Sequence, residues 1–347
     1  MTVPTTPLSS RLTAPAQLPV PEHADIARWR PATADDIDAI WQLEKAIGRA
    51  DHPNYVLERE EVGKAFGFSF VNADTDTLVA LGADGRLVAH GIVVLQVGQQ
   101  TLVKCNLGGG VLPEMRGRGL GRALLNWQVA RARQQLATSD KQLPGWITAS
   151  CDERAPQNGR LYERFGLVAT RYFLTLDRML ADPIRAVELG DGIRLTGYTP
   201  ELSAAVHAAR DVAFMDHWSS QPIPDESWIA YVTGPTFVDE LSFVAFATEP
   251  DGSEEVVGFI MSSVNEEDWA VAGFRSSYIG LVGVLSGWRG RHIAQALLAA
   301  QLAASREAGH ERATLDVDSA SPTGALDLYT GMGFFATNRE LAYVLEF

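Results

Sequence analysis

Between Val111 and Leu125 the chain reads VLPEMRGRGLGRALL, an apolar run that passes through a glycine-rich turn into a helical pattern. Leu120, Ala123, Leu124 and Trp127 recur at i, i+3, i+4 and i+7, the stripe of a packed helix. A helix that starts at Leu120 presents N–H groups with no intrahelical partner and the positive end of its dipole. Gly117, Gly119 and Gly121 would let an anion approach that backbone closely. Arg116, Arg118 and Arg122 add positive charge to a chain that is otherwise acidic. The chemistry these residues offer is a cradle for a diphosphate.

Two better-known phosphate loops do not fit. The turn lacks the Lys-Ser/Thr pair of a P-loop, and no acidic residue closes a second strand about 20 residues on, as a dinucleotide fold needs. The elements around the turn are legible from their patterns. Thr101 to Val111 reads as a strand ending in Gly108, Gly109 and Gly110, and Trp146 to Cys151 as the next strand, which makes a βαβ unit. Before them come a short strand at 26–31, a helix through Ile37 and Ile47 that Thr33 can cap, a loop from Arg49 to Tyr55 and a helix from Val56 to Phe66. A hairpin follows, with Asp84-Gly85 between two apolar runs. After them come a short helix from Asn158 to Phe165 and a closing strand from Arg171 to Leu176.

The same order of events then repeats. Arg194 stands for Arg30, Asp216 for Asp51, Arg289 for Arg116 and Tyr329 for Tyr162, at separations between 164 and 173 residues. A duplicated domain is the reading. The expected division is a flexible proline-rich tail at 1–25, or one draped over the body, a first domain at 26–180, a linker at 181–192 and a second domain at 193–347.

Arg116, Gly119 and Gly121 form the Arg-x-x-Gly-x-Gly signature, and over roughly Ile26 to Phe347 the chain resembles a tandem member of the GNAT superfamily of N-acyltransferases. The resemblance implies an α/β (α+β) fold. Each domain would be a mixed, mostly antiparallel sheet with a central splayed pair of parallel strands and flanking helices. It also implies acetyl-coenzyme A, or another acyl-coenzyme A, as cofactor. The candidate binding residues are Val111, Leu112, Arg116, Gly117, Arg118, Gly119, Leu120, Gly121 and Arg122 in the first half. In the second they are Val284, Leu285, Arg289, Gly290, Arg291, His292, Ile293 and Ala294. Glycines 108 to 110 would let the strand backbone approach the thioester and stabilise the charge that develops in a tetrahedral intermediate.

In this family a tyrosine on the short helix after the second splayed strand commonly protonates the departing thiolate, which nominates Tyr162 and Tyr329. The residues leave open which half is catalytic, and the resemblance to the tandem type favours the second. His292 replaces a loop glycine there, and helical backbone geometry at that place would tolerate it. Asp216, His217 and Glu226, with Asp51 and His52 as counterparts, fall where the family covers its acceptor. The expected reaction is transfer of acetyl to the primary amine of a small cationic metabolite or antibiotic, by one domain or by both. The competing reading is a non-catalytic acyl-coenzyme A sensor or scaffold.

Composition narrows the partners. A net charge of −14 argues against nucleic acid or an anionic membrane and favours cationic small molecules. Two cysteines, Cys105 and Cys151, offer neither a disulfide framework nor a metal site, His207 and His310 are isolated surface candidates, and no metal is expected. No run of 18 apolar residues and no apolar signal core is present, which with the cysteines suggests the cytoplasm. Two fused domains could act as a monomeric pseudo-dimer, or the chain could form a homodimer.

Overall fold

The computed structural model describes residues 4–18, 20–52, 56–248 and 251–347. Its contacts divide the chain into two compact units, Met1–Arg171 with Glu340–Phe347, and Tyr172–Arg339. In the first unit the elements are α1 (Leu8–Arg11), β1 (Arg28–Arg30), α2 (Ile37–Asp51), α3 (Arg59–Gly67), α4 (Ala73–Asp76), β2 (Thr77–Leu81), β3 (Leu87–Leu95), β4 (Val103–Val111), α5 (Leu120–Leu136), β5 (Gly145–Asp152) and α6 (Pro156–Arg164). Next comes β6 (Val168–Met179), which carries the chain into the second unit. There follow β7 (Ile193–Gly197), α7 (Ser203–Ala213), α8 (Asp225–Val232), β8 (Phe243–Thr248), β9 (Glu254–Ser263), α9 (Glu266–Ala272), β10 (Ser276–Val284), α10 (Ile293–Glu307), β11 (Arg312–Asp318), α11 (Ala325–Gly331) and β12 (Phe335–Glu346), which returns the chain to the first.

Each unit holds a mixed, mostly antiparallel sheet, with strand order β1-β2-β3-β4-β5-β12 in the first and β7-β8-β9-β10-β11-β6 in the second. The parallel pairs are β4 with β5 and β10 with β11. Local chemistry explains the elements. Thr33 and Asp36 make a reciprocal capping box at the entry to α2, and Gly85 takes φ +79° in the turn between β2 and β3. The α5 stripe is buried as Leu120, Leu124, Leu125 and Trp127, each contributing roughly 1.5–3 kcal/mol of transfer free energy. Leu297, Leu298 and Leu302 of α10 do the same in the second unit.

Several expectations need correction. The strand expected to close the first domain, Arg171 to Leu176, pairs instead with β11, from Phe173 opposite Asp318 to Met179 opposite Arg312. The first sheet is closed by the chain's last strand, with Glu340 opposite Asp152 and Glu346 opposite Trp146. The two closing strands carry similar alternating apolar patterns because the domain is duplicated, so pattern alone cannot assign them to a sheet. The unit boundaries therefore fall at 171/172 and 339/340, away from 180 and 193.

The proline-rich segment is also not simply a loose tail. Leu8 is fully buried, and Arg11 donates to the carbonyls of Phe347 and Leu143. Helix α2 runs on through Asp51, α3 starts at Arg59 and not Val56, and residues 53–55 of the expected loop lie outside the described residues. Among the described residues no helix is long and apolar enough to cross a membrane.

Candidate active site

Strands β10 and β11 pair only from Ser276 opposite Arg312 to Tyr278 opposite Thr314, and then part. At the fork β10 bulges, its register on β9 slipping between Ile279 and Leu281 so that Gly280 is left over. A cavity of ≈ 370 Å³ opens there, lined by Gly280, Val282 and Gly283 from one strand and Leu315 to Asp318 from the other. Its far end reaches Gly290, His292, Ile293 and Ala294 at the start of α10. The first intrahelical bond of that helix runs from Ala296 N–H to His292 O at 3.0 Å, so the N–H groups of Ile293, Ala294 and Gln295 have no partner within it. A thioester arm fits the fork, and a diphosphate fits the helix end.

The turn takes its shape from left-handed residues, with φ +77° at Gly290 and +61° at His292, as at Gly117 (+78°) and Gly119 (+98°) in the first unit. His292 is thus not in helical geometry, as expected from the sequence, but in the region that costs a side chain roughly 1–2 kcal/mol. Helix α10 begins one residue later, so the histidine caps the helix.

The loop arginines fold back and brace their turns. Arg289 donates to Val284 O (3.3 Å), Ala213 O (3.2 Å) and Asp216 (3.1 Å). Arg116 repeats the arrangement with Val111 O (3.0 Å) and a bidentate pair to Asp51 at 2.7 and 2.9 Å. Asp51 and Asp216, expected on the acceptor side, are therefore the arginines' partners. His52 Nδ1 lies 3.2 Å from the buried Asp152. His217 lines the cavity, its Nδ1–H donating to Trp218 O at 3.2 Å, whereas Glu226, in the first turn of α8, is not among the lining residues.

The first unit builds the same fork with a different outcome. Strands β4 and β5 pair from Val103 opposite Gly145 to Asn106 opposite Thr148, and the Thr148 hydroxyl donates to Asn106 Oδ1 at 2.7 Å. The three glycines of β4 are packed by the unit's own residues. A methyl group on Gly108 would sit 3.0 Å from the Ile92 side chain, and one on Gly110 2.8 Å from that of Ile47. A cavity of ≈ 380 Å³ lies at Arg118, Gly119, Arg122 and Asn126, and its rim includes Glu22 and His23. There His23 Nε2 donates to Arg118 O at 2.7 Å, and the Asp25 carboxylate is 3.5 Å from the Arg118 guanidinium.

The two tyrosines differ most. Tyr162 donates to Ser150 O at 3.3 Å and sits edge-on to Tyr343. Tyr329 lines the second unit's cavity and sits edge-on to Phe334. Burial pushes the Tyr329 pKa up to about 12, so it stays protonated at neutral pH.

Asp316 and Asp318 also line the cavity, a placement the sequence reading missed. Their spacing on β11 puts two carboxylates on one face, but only the fork turns that end of the strand toward the cavity. Asp316 accepts from Thr175 (2.6 Å) and Tyr278 (3.0 Å), and Asp318 from Ala320 N–H (3.0 Å). His207 and His310 are half-buried, not surface groups: His207 stacks on Trp228, and His310 bonds Ser305. No metal-binding cluster occurs among the described residues.

The profile of the Acetyltransferase (GNAT) family matches residues 204–334. The mycothiol acetyltransferase of Frankia casuarinae is 30% identical over 293 residues, spanning 79% of this chain and 76% of that one. The mycothiol acetyltransferase of Salinispora tropica is 28% identical over 355 residues, 98% and 99% of the two chains. Among solved structures, a GCN5-related N-acetyltransferase from Sphaerobacter thermophilus superimposes with a TM-score of 0.68 at 24% identity, covering 92% of this chain and 95% of that one. A tandem GNAT protein from the clavulanic acid biosynthesis pathway gives 0.64 at 16% identity, covering 92% and 98%.

Proposed function

The chain belongs to the GNAT family of acetyltransferases and is a coenzyme A-dependent N-acetyltransferase; from that premise we propose that its chemistry is done in the second unit, at the fork of β10 and β11. Carrying this reading is Tyr329, a buried side chain in the wall of the cavity. Bound acetyl-coenzyme A supplies an activated acetyl group. The protein's own residues do the rest. The N–H groups of Ile293 and Ala294 hold the diphosphate, with Gly290 allowing its approach, and the bulged backbone beside Gly280 receives the pantetheine arm.

His217 at the cavity wall takes the proton of the incoming amine, and Tyr329 returns one to the departing sulfur. A net charge of −14 draws a cationic acceptor. The relatives' name makes a mycothiol-related amine the first acceptor to try, with amine-bearing antibiotics next. The reaction belongs in the cytoplasm, where Cys105 and Cys151, both buried thiols, stay reduced.

The first unit has a supporting role in this reading, because its tyrosine is tied to Ser150 O. Calorimetric titration with acetyl-coenzyme A tests the assignment. One strong site is expected, abolished by Arg291→Glu with Gly290→Asp and untouched by the corresponding Arg118→Glu with Gly117→Asp. Absence of any binding would overturn the whole reading, and loss through the first-unit pair would move the site.

A further inference from the structure

Tyr231 is a polar group that the reaction as described does not use. It sits in the last turn of α8, its ring held by Trp228 (centroids 5.9 Å apart) and Phe237 (5.5 Å). Its hydroxyl oxygen is buried and has no hydrogen-bond partner among the described residues. Burial also pushes its pKa up, so the group stays a neutral phenol that can donate a hydrogen bond. A buried hydroxyl without a partner is destabilising, and each one in a folded protein calls for an explanation.

The place it occupies suggests the use. A methyl group built on Gly280 would lie 2.8 Å from the Tyr231 oxygen, so the hydroxyl rests against the one residue of β10 that the bulge leaves over. Gly280 is also a wall of the cavity, two residues beyond the last β10–β11 pair; Tyr231 is not itself among the lining residues and meets the cavity only through this glycine. Any side chain at 280 would displace the hydroxyl. The first unit offers a natural contrast. Asp51 corresponds to Asp216 at a separation of 165 residues, and the same separation takes Tyr231 to Phe66, which has the ring and no hydroxyl.

We propose that Tyr231 donates a hydrogen bond to the carbonyl oxygen of the acyl thioester seated beside Gly280, polarising it for attack. The inference rests on the proposed site in the second unit. It adds a side-chain donor, on a rigid aromatic mount, to the backbone groups of β10. A donor aimed where negative charge develops strengthens as the carbonyl is attacked, so its effect is greater on turnover than on binding.

Tyr231→Phe is the test, because it removes only the oxygen. Without ligand the variant is expected to melt at the same temperature as the parent or higher, since it loses an unsatisfied buried group. Affinity for acetyl-coenzyme A should fall about 3- to 10-fold, while free coenzyme A, which has no carbonyl, binds unchanged. Turnover should fall about 100-fold with the Michaelis constant for the amine unaltered, and the infrared carbonyl band of bound 13C-acetyl-coenzyme A should move toward its position in water. Equal weakening of both coenzyme A forms, a lower melting temperature without ligand, or a change confined to the amine's Michaelis constant would each overturn the proposal. If the parent protein binds neither form, the proposed site itself fails and Tyr231 falls with it.

Discussion

The two units set the same parts around a forked pair of parallel strands, and they part company at the group that would move a proton. In the first, the Tyr162 hydroxyl is used up on Ser150 O and the fork is pinned by Thr148 on Asn106. In the second, Tyr329 lines a cavity of ≈ 370 Å³. The bracing arginine survives in both, with its carboxylate partner. Both units thus keep what holds the turn in shape and differ in the groups beside the fork. A framework constrains every copy, whereas a second set of reacting groups is needed only if the second site works.

The sharpest way to break this comparison is to exchange the tyrosines for phenylalanine. Tyr329→Phe should lower turnover about 100- to 1,000-fold, the range of a lost general acid, with acetyl-coenzyme A affinity kept. Tyr162→Phe should leave turnover within about twofold, since its hydroxyl only bonds backbone. Steady-state kinetics decide it, and equal losses from both variants would make the units equivalent.

The pH profile sharpens the same point. Because burial raises Tyr329 to about 12, the donor keeps its proton throughout the usual working range. Activity should therefore rise as the amine loses its proton and then stay level to at least about pH 10, the ordinary phenol value. A descending limb near neutrality would mean that another group gives the proton.

Next in size are the braces. Asp51 is 5% exposed, so removing its partner by Arg116→Ala leaves a buried charge and should cost about 3 kcal/mol of stability. Asp216 is 59% exposed, and Arg289→Ala should cost less than about 1 kcal/mol. Urea denaturation of the two variants checks the ratio. Equal costs would show that the first unit's pair is no more buried in solution than the second's.

Much of this was legible in the residues themselves. The glycine turn, the helix after it, the strand pair and the repeat all rest on local patterns, and those places agree with the structure. What could not be read is non-local. Strands 171–176 and 340–346 carry interchangeable patterns, so their exchange between sheets leaves no local mark. Asp51 looked like an acceptor residue because its partner, Arg116, is 65 positions away. Leu8 lies in a segment whose prolines hide that one leucine fills the space against Gly145. Tyr231 announces nothing in the sequence, because its meaning depends on a bulge in a strand it does not belong to.

The smallest expected effect probes the one position where the second unit's turn is worse made than the first's. His292 takes φ +61° where Gly119 takes +98°, and only Ser219 shares positive φ among the described non-glycine residues. A left-handed side chain costs roughly 1–2 kcal/mol, less for histidine, which visits that region more readily than most. His292→Gly removes this strain but gives the unfolded chain more freedom to lose, worth about 0.4–1 kcal/mol in the opposite sense. The net stability change should be a gain of no more than about 1 kcal/mol, read as a shifted denaturation midpoint. The imidazole lines the cavity at the helix end, where it can donate to an anion. The variant's acetyl-coenzyme A affinity should then fall about tenfold, the worth of one hydrogen bond to a charged group. Tighter binding would instead show that His292 crowds the turn, and that the first unit's all-glycine version is the better cradle.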